Sequence, residues 1–118
     1  MRLSQELRDR TKKFSSSIIR LFESLPIQRY TVQVLGKQLL RSGTSLAAHT
    51  REASRARSDA EFCSKLDVLL QEADESMLWL EHLEEDCGIP SNYIQSIHKE
   101  CDELISIFVT IVANTRKK

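Results

Sequence analysis

The chain has 118 residues, of which 41% are hydrophobic and 29% charged, and its 17 basic and 17 acidic side chains give a formal net charge of zero. This length predicts one domain, residues 1–118, and the hydrophobic content excludes a disordered chain. No apolar run approaches the roughly 20 residues of a membrane-spanning helix. The three glycines and two prolines are few, which favours helices.

The cysteines and the start of the chain indicate a compartment. Cys63, Cys87 and Cys101 form an odd set without a CxxC motif, which argues against a disulfide framework and for reducing surroundings. The opening segment MRLSQELRDR lacks the apolar core of a secretory signal. We therefore predict a soluble, cytoplasmic protein without a membrane partner.

Helical periodicity marks four segments, and the first two differ in their small residues. The first, residues 3–25, carries apolar side chains at three- and four-residue spacing and ends before Pro26, because proline disfavours helical geometry in the preceding residue. The second, residues 29–54, contains Gly36 and Gly43. An interior glycine costs a helix roughly 1 kcal/mol relative to alanine, so another part of the backbone is expected to pass close to these positions.

The last two segments carry clear start and packing signals. The third, residues 59–86, follows the sequence SDAE. This is a capping box, in which the Ser58 hydroxyl accepts from the Glu61 amide and the Glu61 carboxylate reaches back. The fourth, residues 91–115, has a heptad seam formed by Ile94, Ile97, Cys101, Leu104, Phe108 and Ile111. Four helices joined by short loops predict an all-α, up-down-up-down four-helix bundle.

In such a bundle, basic side chains collect at the end that holds both termini and the second loop. Arginine suits phosphate there because its planar fork makes paired hydrogen bonds. The opposite end receives the acidic run around Glu84. We predict a nucleic-acid-binding surface at the basic end. Its candidate residues are Arg10, Lys12, Lys13, Arg51, Arg55, Arg57 and Arg116.

The alternative interpretation of these charges is solvated helix ends together with ion pairs between subunits. The basic residues are not interleaved with aromatic ones, and no RNA-recognition motif is present. Any nucleic-acid contact is therefore expected to go to the backbone and its shape.

Catalytic and metal signatures are absent from the sequence. A di-iron bundle needs Glu-x-x-His pairs, whereas the residues three before the histidines are Leu46, Trp79 and Gln95. The one-turn spacing of His98 and Cys101 is a weak metal signal by itself. No glycine-rich phosphate loop, nucleophile elbow or HExxH motif occurs. We predict no enzyme activity, no cofactor and no metal.

Small and aromatic residues supply candidates for contacts between subunits. Gly43 and Ala47 lie in the small-residue half of the second helix, where close packing is possible. Tyr30 and Trp79 are candidate anchors, because aromatic residues are enriched at the centres of interfaces. Burial in the subunit core is the alternative for Trp79.

The segment LGKQLLRSGTSLAAHTREASRARSDAEFCSKLDVLLQEADESMLWLEHL, from Leu35 to Leu83, resembles the bacterial four-helix-bundle proteins called 23S rRNA intervening-sequence proteins. The opening ELRDRTKKFSSSIIRLFESLP is also similar. The resemblance implies a small bundle that assembles into a ring-like homopentamer. The matching positions are Arg41, Ser42, Ser45, Ala48, Arg51, Glu52, Ala53, Arg55, Arg57, Ser58, Glu61 and Phe62.

One position departs from the family pattern. The chain has His49 where the resemblance implies asparagine. If an amide there bridges helices, a ring nitrogen of His49 must replace it, and its protonation then matters near neutral pH.

Two functions remain open from the sequence. In the first, a ring repeats the basic end and binds nucleic acid, because affinity for a polyanion grows steeply with the number of phosphates neutralised. In the second, the bundle is a protein-interaction scaffold or accessory subunit, and nucleic acid plays no part.

Overall fold

The computed structural model describes residues 1–118 as four helices without strands. Helix α1 spans Gln5–Ser24, α2 spans Tyr30–Ser54, α3 spans Asp59–Glu85 and α4 spans Ser91–Arg116. They pack into a rod of 48 × 21 × 19 Å. The predicted all-α, four-helix class is confirmed. None of the four helices combines the length and the apolar character that crossing a membrane requires.

Local hydrogen bonds explain where the helices begin and end. α1 starts at Gln5 because the Ser4 hydroxyl accepts from the Leu7 amide at 3.1 Å. α3 starts after Ser58, whose hydroxyl accepts from the Glu61 amide at 3.0 Å. The other half of the predicted capping box does not form, and the Glu61 carboxylate makes no hydrogen bond back to the Ser58 amide. Beyond the end of α3, Gly88 adopts a left-handed φ of 71°, which glycine tolerates without strain.

One apolar core runs the length of the rod and contains 23 buried residues. Each helix contributes side chains with no exposed surface, among them Ile18, Leu39, Leu66 and Leu104. Burying such a side chain stabilises the fold by roughly 1.5–3 kcal/mol. All four helices therefore contribute to the same core.

The interior glycines of α2 lie against α1 of the same chain. A Cβ atom built on Gly43 would lie 2.7 Å from Ile18 Cγ1, and one on Gly36 would lie 3.0 Å from Leu25 Cδ1. The Ser15 hydroxyl donates to the Gly43 carbonyl at 2.9 Å. The close contact is thus inside the subunit, and the atoms that these Cβ positions would meet belong to side chains of α1 rather than to the backbone that was expected. Gly43 is buried there, so it is not on the surface that a neighbouring subunit could reach.

Long-range contacts bring the connections together at the two ends of the rod. The Arg2 amide donates to the Ser54 carbonyl at 3.1 Å, and its guanidinium pairs with Asp59 at 2.7 Å. The start of the chain therefore lies beside the α2–α3 connection. At the other end, Arg29 Nη1 donates to the Cys87 carbonyl at 2.9 Å, so the α1–α2 connection lies beside the end of α3.

Candidate nucleic-acid interface

Three arginines extend from the C-terminal end of α2 into solvent. Arg51 lies in the last turn of α2, Arg55 is its C-terminal cap, and Arg57 follows in the connection to α3. All three are exposed, and none is among the side chains that form ion pairs. Cations near a helix C-terminus are stabilised by its partial negative charge. The fold therefore supports these positive charges and leaves their N–H groups free.

Two open grooves flank these arginines. The groove between α2 and α3, of about 650 Å³, is lined by Arg51, Arg55, Arg57 and Lys65 together with Glu52 and Glu61. The groove between α1 and α2, of about 290 Å³, is lined by Arg8 and Lys12 as well as Arg51 and Arg55. Arg51 and Arg55 are common to both grooves. We call this set the basic surface; its members are Arg8, Lys12, Arg51, Arg55, Arg57 and Lys65.

Two of the three carboxylates that line these grooves have side-chain partners, and one of those partners is Lys65 of the basic surface itself. Glu52 Oε2 lies 3.0 Å from His49 Nδ1 and 3.9 Å from Lys65 Nζ. Asp9 accepts from the Gln5 side-chain amide at 2.8 Å. Six cations thus face three acidic groups across the two grooves. Neither Arg51 nor Arg55 is neutralised by a direct ion pair, so the local charge stays positive in a chain with no net charge.

Arg10 and Arg116, both predicted to contact nucleic acid, are paired with carboxylates. Two nitrogens of Arg10 bond the two Glu100 oxygens, each at 2.7 Å, and this hydrogen bonding raises the pKa of Arg10 above its usual value. Arg116 Nη2 lies 2.6 Å from Asp67 Oδ2, and that hydrogen bond likewise raises the pKa of Arg116. These guanidiniums already have anionic partners and are less available for phosphate.

The seven predicted residues therefore separate into groups. Lys12, Arg51, Arg55 and Arg57 lie together on the basic surface. Lys13 turns with Arg10 toward the groove between α1 and α4. Arg116 lies against α3 through Asp67. The structure brings four of the seven candidates together and places three elsewhere.

Two members of the basic surface, Arg8 and Lys65, were missing from the predicted set. Their sequence signal was helical spacing, since residues four apart share one helix face. Arg8 stands four before Lys12, and Lys65 stands four after Glu61. Lys65 reaches the site because α3 packs beside α2, an arrangement that spacing within a single helix does not contain.

His49 makes its contact within one helix. Its Nδ1 lies 3.0 Å from a Glu52 oxygen three residues further along α2. The link between helices at this level is carried by Glu52 and Lys65. The imidazole thus does not replace a bridging amide in the way that the family pattern suggested.

The other candidates for subunit contacts differ in exposure. Tyr30 is 77% exposed at the start of α2. Ala47 is half-buried where the two basic grooves meet. Trp79 is half-buried and its ring lies 6.4 Å from that of His82, while its indole nitrogen is buried without a hydrogen-bond partner. Tyr30 is the most accessible of the four candidates.

His98 and Cys101, whose spacing alone is a weak metal signal, make contacts in two different directions. His98 Nε2 lies 2.9 Å from a Glu81 oxygen, whereas the Cys101 thiol donates to the Ala73 carbonyl at 3.3 Å. No cluster of three or more histidine, cysteine, aspartate or glutamate side chains is arranged to hold a metal ion. All three cysteines are free and buried.

Together, the fold and the site define a small all-α four-helix protein with a cationic surface beside the α2–α3 connection. A family model described as "23S rRNA-intervening sequence protein" matches residues 4–110, and the chain belongs to that family. All six residues of the basic surface fall within the matched range, whereas Arg116 lies beyond it.

A solved structure supports the same assignment. The chain is similar to a protein of unknown function from the S23 ribosomal protein family of Bacteroides thetaiotaomicron VPI-5482. The two share 34% identity and a TM-score of 0.82, over 90% of this chain and 97% of the other. No curated protein matches the chain.

Proposed function

We propose that this protein is a non-enzymatic, oligomeric nucleic-acid-binding protein of the bacterial cytoplasm, whose basic surface contacts the phosphate backbone of RNA or DNA. The observation that carries the proposal is the pair Arg51 and Arg55. Both are exposed, both lack a carboxylate partner, and both line two grooves that hold four further cations.

The chemistry of the basic surface favours backbone contacts. A guanidinium matches the geometry of a phosphate and can form two parallel hydrogen bonds to it. The residues that line the two grooves include no aromatic side chain on which a base could stack. Binding of this kind positions a nucleic acid without reading its sequence.

Assembly of several copies would strengthen this binding. The contacts Ser42–Ser76 and Asp67–Arg116 support neighbouring helices that run in opposite directions, as in an up-down-up-down bundle. Such a bundle places the basic surface at one end of the rod. A ring of five subunits, as the family resemblance implies, would present that surface five times. Affinity would rise because each further phosphate contact releases counterions.

The first prediction concerns the double variant Arg51→Gln/Arg55→Gln. Its affinity for structured RNA and duplex DNA is expected to fall by at least about tenfold, because two phosphate contacts are lost. The slope of log K against log salt is expected to decrease by about one unit for each contact removed per bound subunit. Fluorescence anisotropy of labelled RNA and DNA hairpins over a salt series measures both quantities.

The matched control is Lys37→Gln. Lys37 is an exposed cation on the same helix, 14 residues before Arg51, which is roughly 21 Å along a helix. It is expected to leave both the affinity and the slope unchanged. Wild-type protein that binds no nucleic acid at low salt would contradict the proposed function, as would equal losses in the double variant and the control.

The second prediction concerns assembly. The wild-type chain is expected to have a solution mass five times its 13.6 kDa, measured by light scattering after size exclusion. Tyr30→Ser is expected to shift the protein toward smaller species, because it removes an exposed aromatic anchor. Tyr30→Phe keeps the apolar ring and should preserve the assembly. A monomeric wild type would contradict the proposed ring.

A second candidate function is a protein-interaction scaffold. It is favoured by exposed apolar side chains near the start of α2, where Ile27 is 42%, Tyr30 77% and Val34 41% exposed. Co-purification of one specific protein that survives nuclease treatment, combined with flat nucleic-acid titrations, would favour this function over the first.

A further inference from the structure

A groove of about 540 Å³ lies at the end of the rod opposite to the basic surface. It forms where the α1–α2 connection meets the α3–α4 connection, and the bond from Arg29 to the Cys87 carbonyl ties the two connections together. We call it the connection groove. The lining residues that matter for its chemistry are Arg20, Pro26, Arg29, Ile89, Pro90 and Tyr93.

The walls of the connection groove are largely apolar and accessible. Pro26 and Pro90 stand on its two sides, and Ile89 and Tyr93 belong to the lining. Tyr93 is 43% exposed. The volume lies within the usual range for ligand clefts, about 300–1,000 Å³. Its mixture of proline, aliphatic and aromatic surface suits an apolar side chain.

Two cations stand in this apolar setting without anionic partners. Arg20 and Arg29 are exposed, and neither belongs to an ion pair of the structure. Arg29 donates one N–H group to the Cys87 carbonyl. Because a guanidinium has five N–H donors, the others remain available for a ligand. No carboxylate lines the groove. Guanidiniums beside apolar walls are complementary to a carboxylate that carries an apolar neighbour.

The acidic residues near this end limit how much negative charge a ligand can bring. Asp86 lies 2.7 Å from His82 Nδ1, and Glu84 accepts from Gln95 at 3.1 Å. Both belong to the acidic run at the end of α3, and Asp86 precedes the lining residue Gly88 by two positions. They repel a polyanion, while a single carboxylate can still reach the two arginines.

We propose that the connection groove binds an acidic–apolar peptide segment of a partner protein. One carboxylate of the segment accepts from Arg20 and Arg29, and an adjacent apolar side chain packs between the prolines and Tyr93. This interaction surface lies at the other end of the rod from the basic surface, and it does not depend on nucleic-acid binding.

The test titrates three probes into uniformly ¹⁵N-labelled full-length protein and monitors binding through the amide chemical shifts. The probes are acetyl-Leu-Asp-Leu-amide, its Asn counterpart and sodium acetate. The Asp peptide is expected to shift the amides of Gly88, Ile89 and Asn92, with a Kd about tenfold lower than that of the Asn peptide, because only the carboxylate accepts charge-assisted hydrogen bonds. Acetate alone is expected to bind more weakly than the Asp peptide.

Arg20→Gln removes one of the two cations from an exposed side chain without disturbing a hydrogen bond, and it should raise the Kd of the Asp peptide about tenfold. Arg55→Gln, at the opposite end, is the matched control and should leave that Kd unchanged. Equal binding of the two peptides, shifts confined to other surfaces, or an Arg20→Gln variant that binds like the wild type would overturn the proposal. Acetate binding as tight as the Asp peptide would also overturn it, since the site would then hold a free anion.

Discussion

Replacing Gly43 with valine is expected to lower the free energy of unfolding by about 3 kcal/mol. A Cβ atom at this position would lie 2.7 Å from Ile18 Cγ1, 2.9 Å from Cγ2 and 3.2 Å from Cβ. Ile18 has no exposed surface, and its branched side chain has one strongly preferred χ1 rotamer in a helix. Because Ile18 cannot turn to another rotamer without cost, a side chain at position 43 is expected to push α1 away from α2.

Alanine substitutions at the two interior glycines of α2 form a matched pair for this prediction. Alanine gains about 1 kcal/mol of helix propensity over glycine. At Gly36 the nearest atom is the flexible Leu25 Cδ1 at 3.0 Å, so Gly36→Ala is expected to be near neutral or stabilising. Gly43→Ala is expected to cost about 1 kcal/mol, because overpacking typically costs about 1–3 kcal/mol and exceeds the propensity gain.

Urea unfolding followed by circular dichroism measures these changes. The order of stability is expected to be Gly36→Ala, then Gly43→Ala, then Gly43→Val. If both alanine variants are more stable than the wild type, the close contact between α1 and α2 does not constrain the fold, and the packing argument fails.

The free energy of unfolding is expected to fall as the pH rises above 9, through the Cys101 thiol. Burial, and to a lesser extent the charges of Asp102 and Asp74, raises the pKa of Cys101 from 9.0 to about 12. The folded state therefore keeps a proton that the unfolded chain releases between those two values. This stabilisation is complete below pH 9 and is lost at about 1.4 kcal/mol per pH unit, up to about 4 kcal/mol at pH 12.

The comparison with Cys101→Ala isolates this effect from other alkaline titrations. The difference in unfolding free energy between wild type and variant is expected to be constant from pH 7 to about 8.5 and to shrink at higher pH. The Cys101 thiol has no exposed surface and donates to the Ala73 carbonyl, so the neutral form is the one that the core accommodates. Stability curves that stay parallel up to pH 11 would show that Cys101 does not titrate on unfolding.

The helices could be predicted closely from the sequence because their signals are local. Apolar spacing, the serine caps and Pro26 act within a few residues, and the four helices begin and end near the predicted positions. α1 begins at Gln5 rather than at the predicted residue 3, because the Ser4 hydroxyl caps its first turn. The partner of Gly43 could not be predicted in this way. A small residue indicates close packing, but only the register between α1 and α2 identifies Ile18.

The candidate site was predictable in part for the same reason. Arg51, Arg55 and Arg57 were found because they cluster along the chain, and all three line one groove. Arg10 and Arg116 were included because they lie near the basic end, yet each has a carboxylate partner from another helix. Those pairings depend on how α4 is set against α1 and α3, which no pattern within one helix encodes.

The start of the chain is anchored to the α2–α3 connection through Arg2. Arg2 holds the α2–α3 connection through the Ser54 and Ala56 carbonyls and Asp59, and its guanidinium lies 5.5 Å from the centre of the Phe62 ring. If the basic surface binds a phosphate backbone as proposed, the connection that carries Arg55 and Arg57 is already tied to Arg2 by these contacts. Only side-chain rotamers remain to be ordered, at about 0.5–1.5 kcal/mol each. Binding would then avoid the further entropic cost of ordering the backbone of a loop.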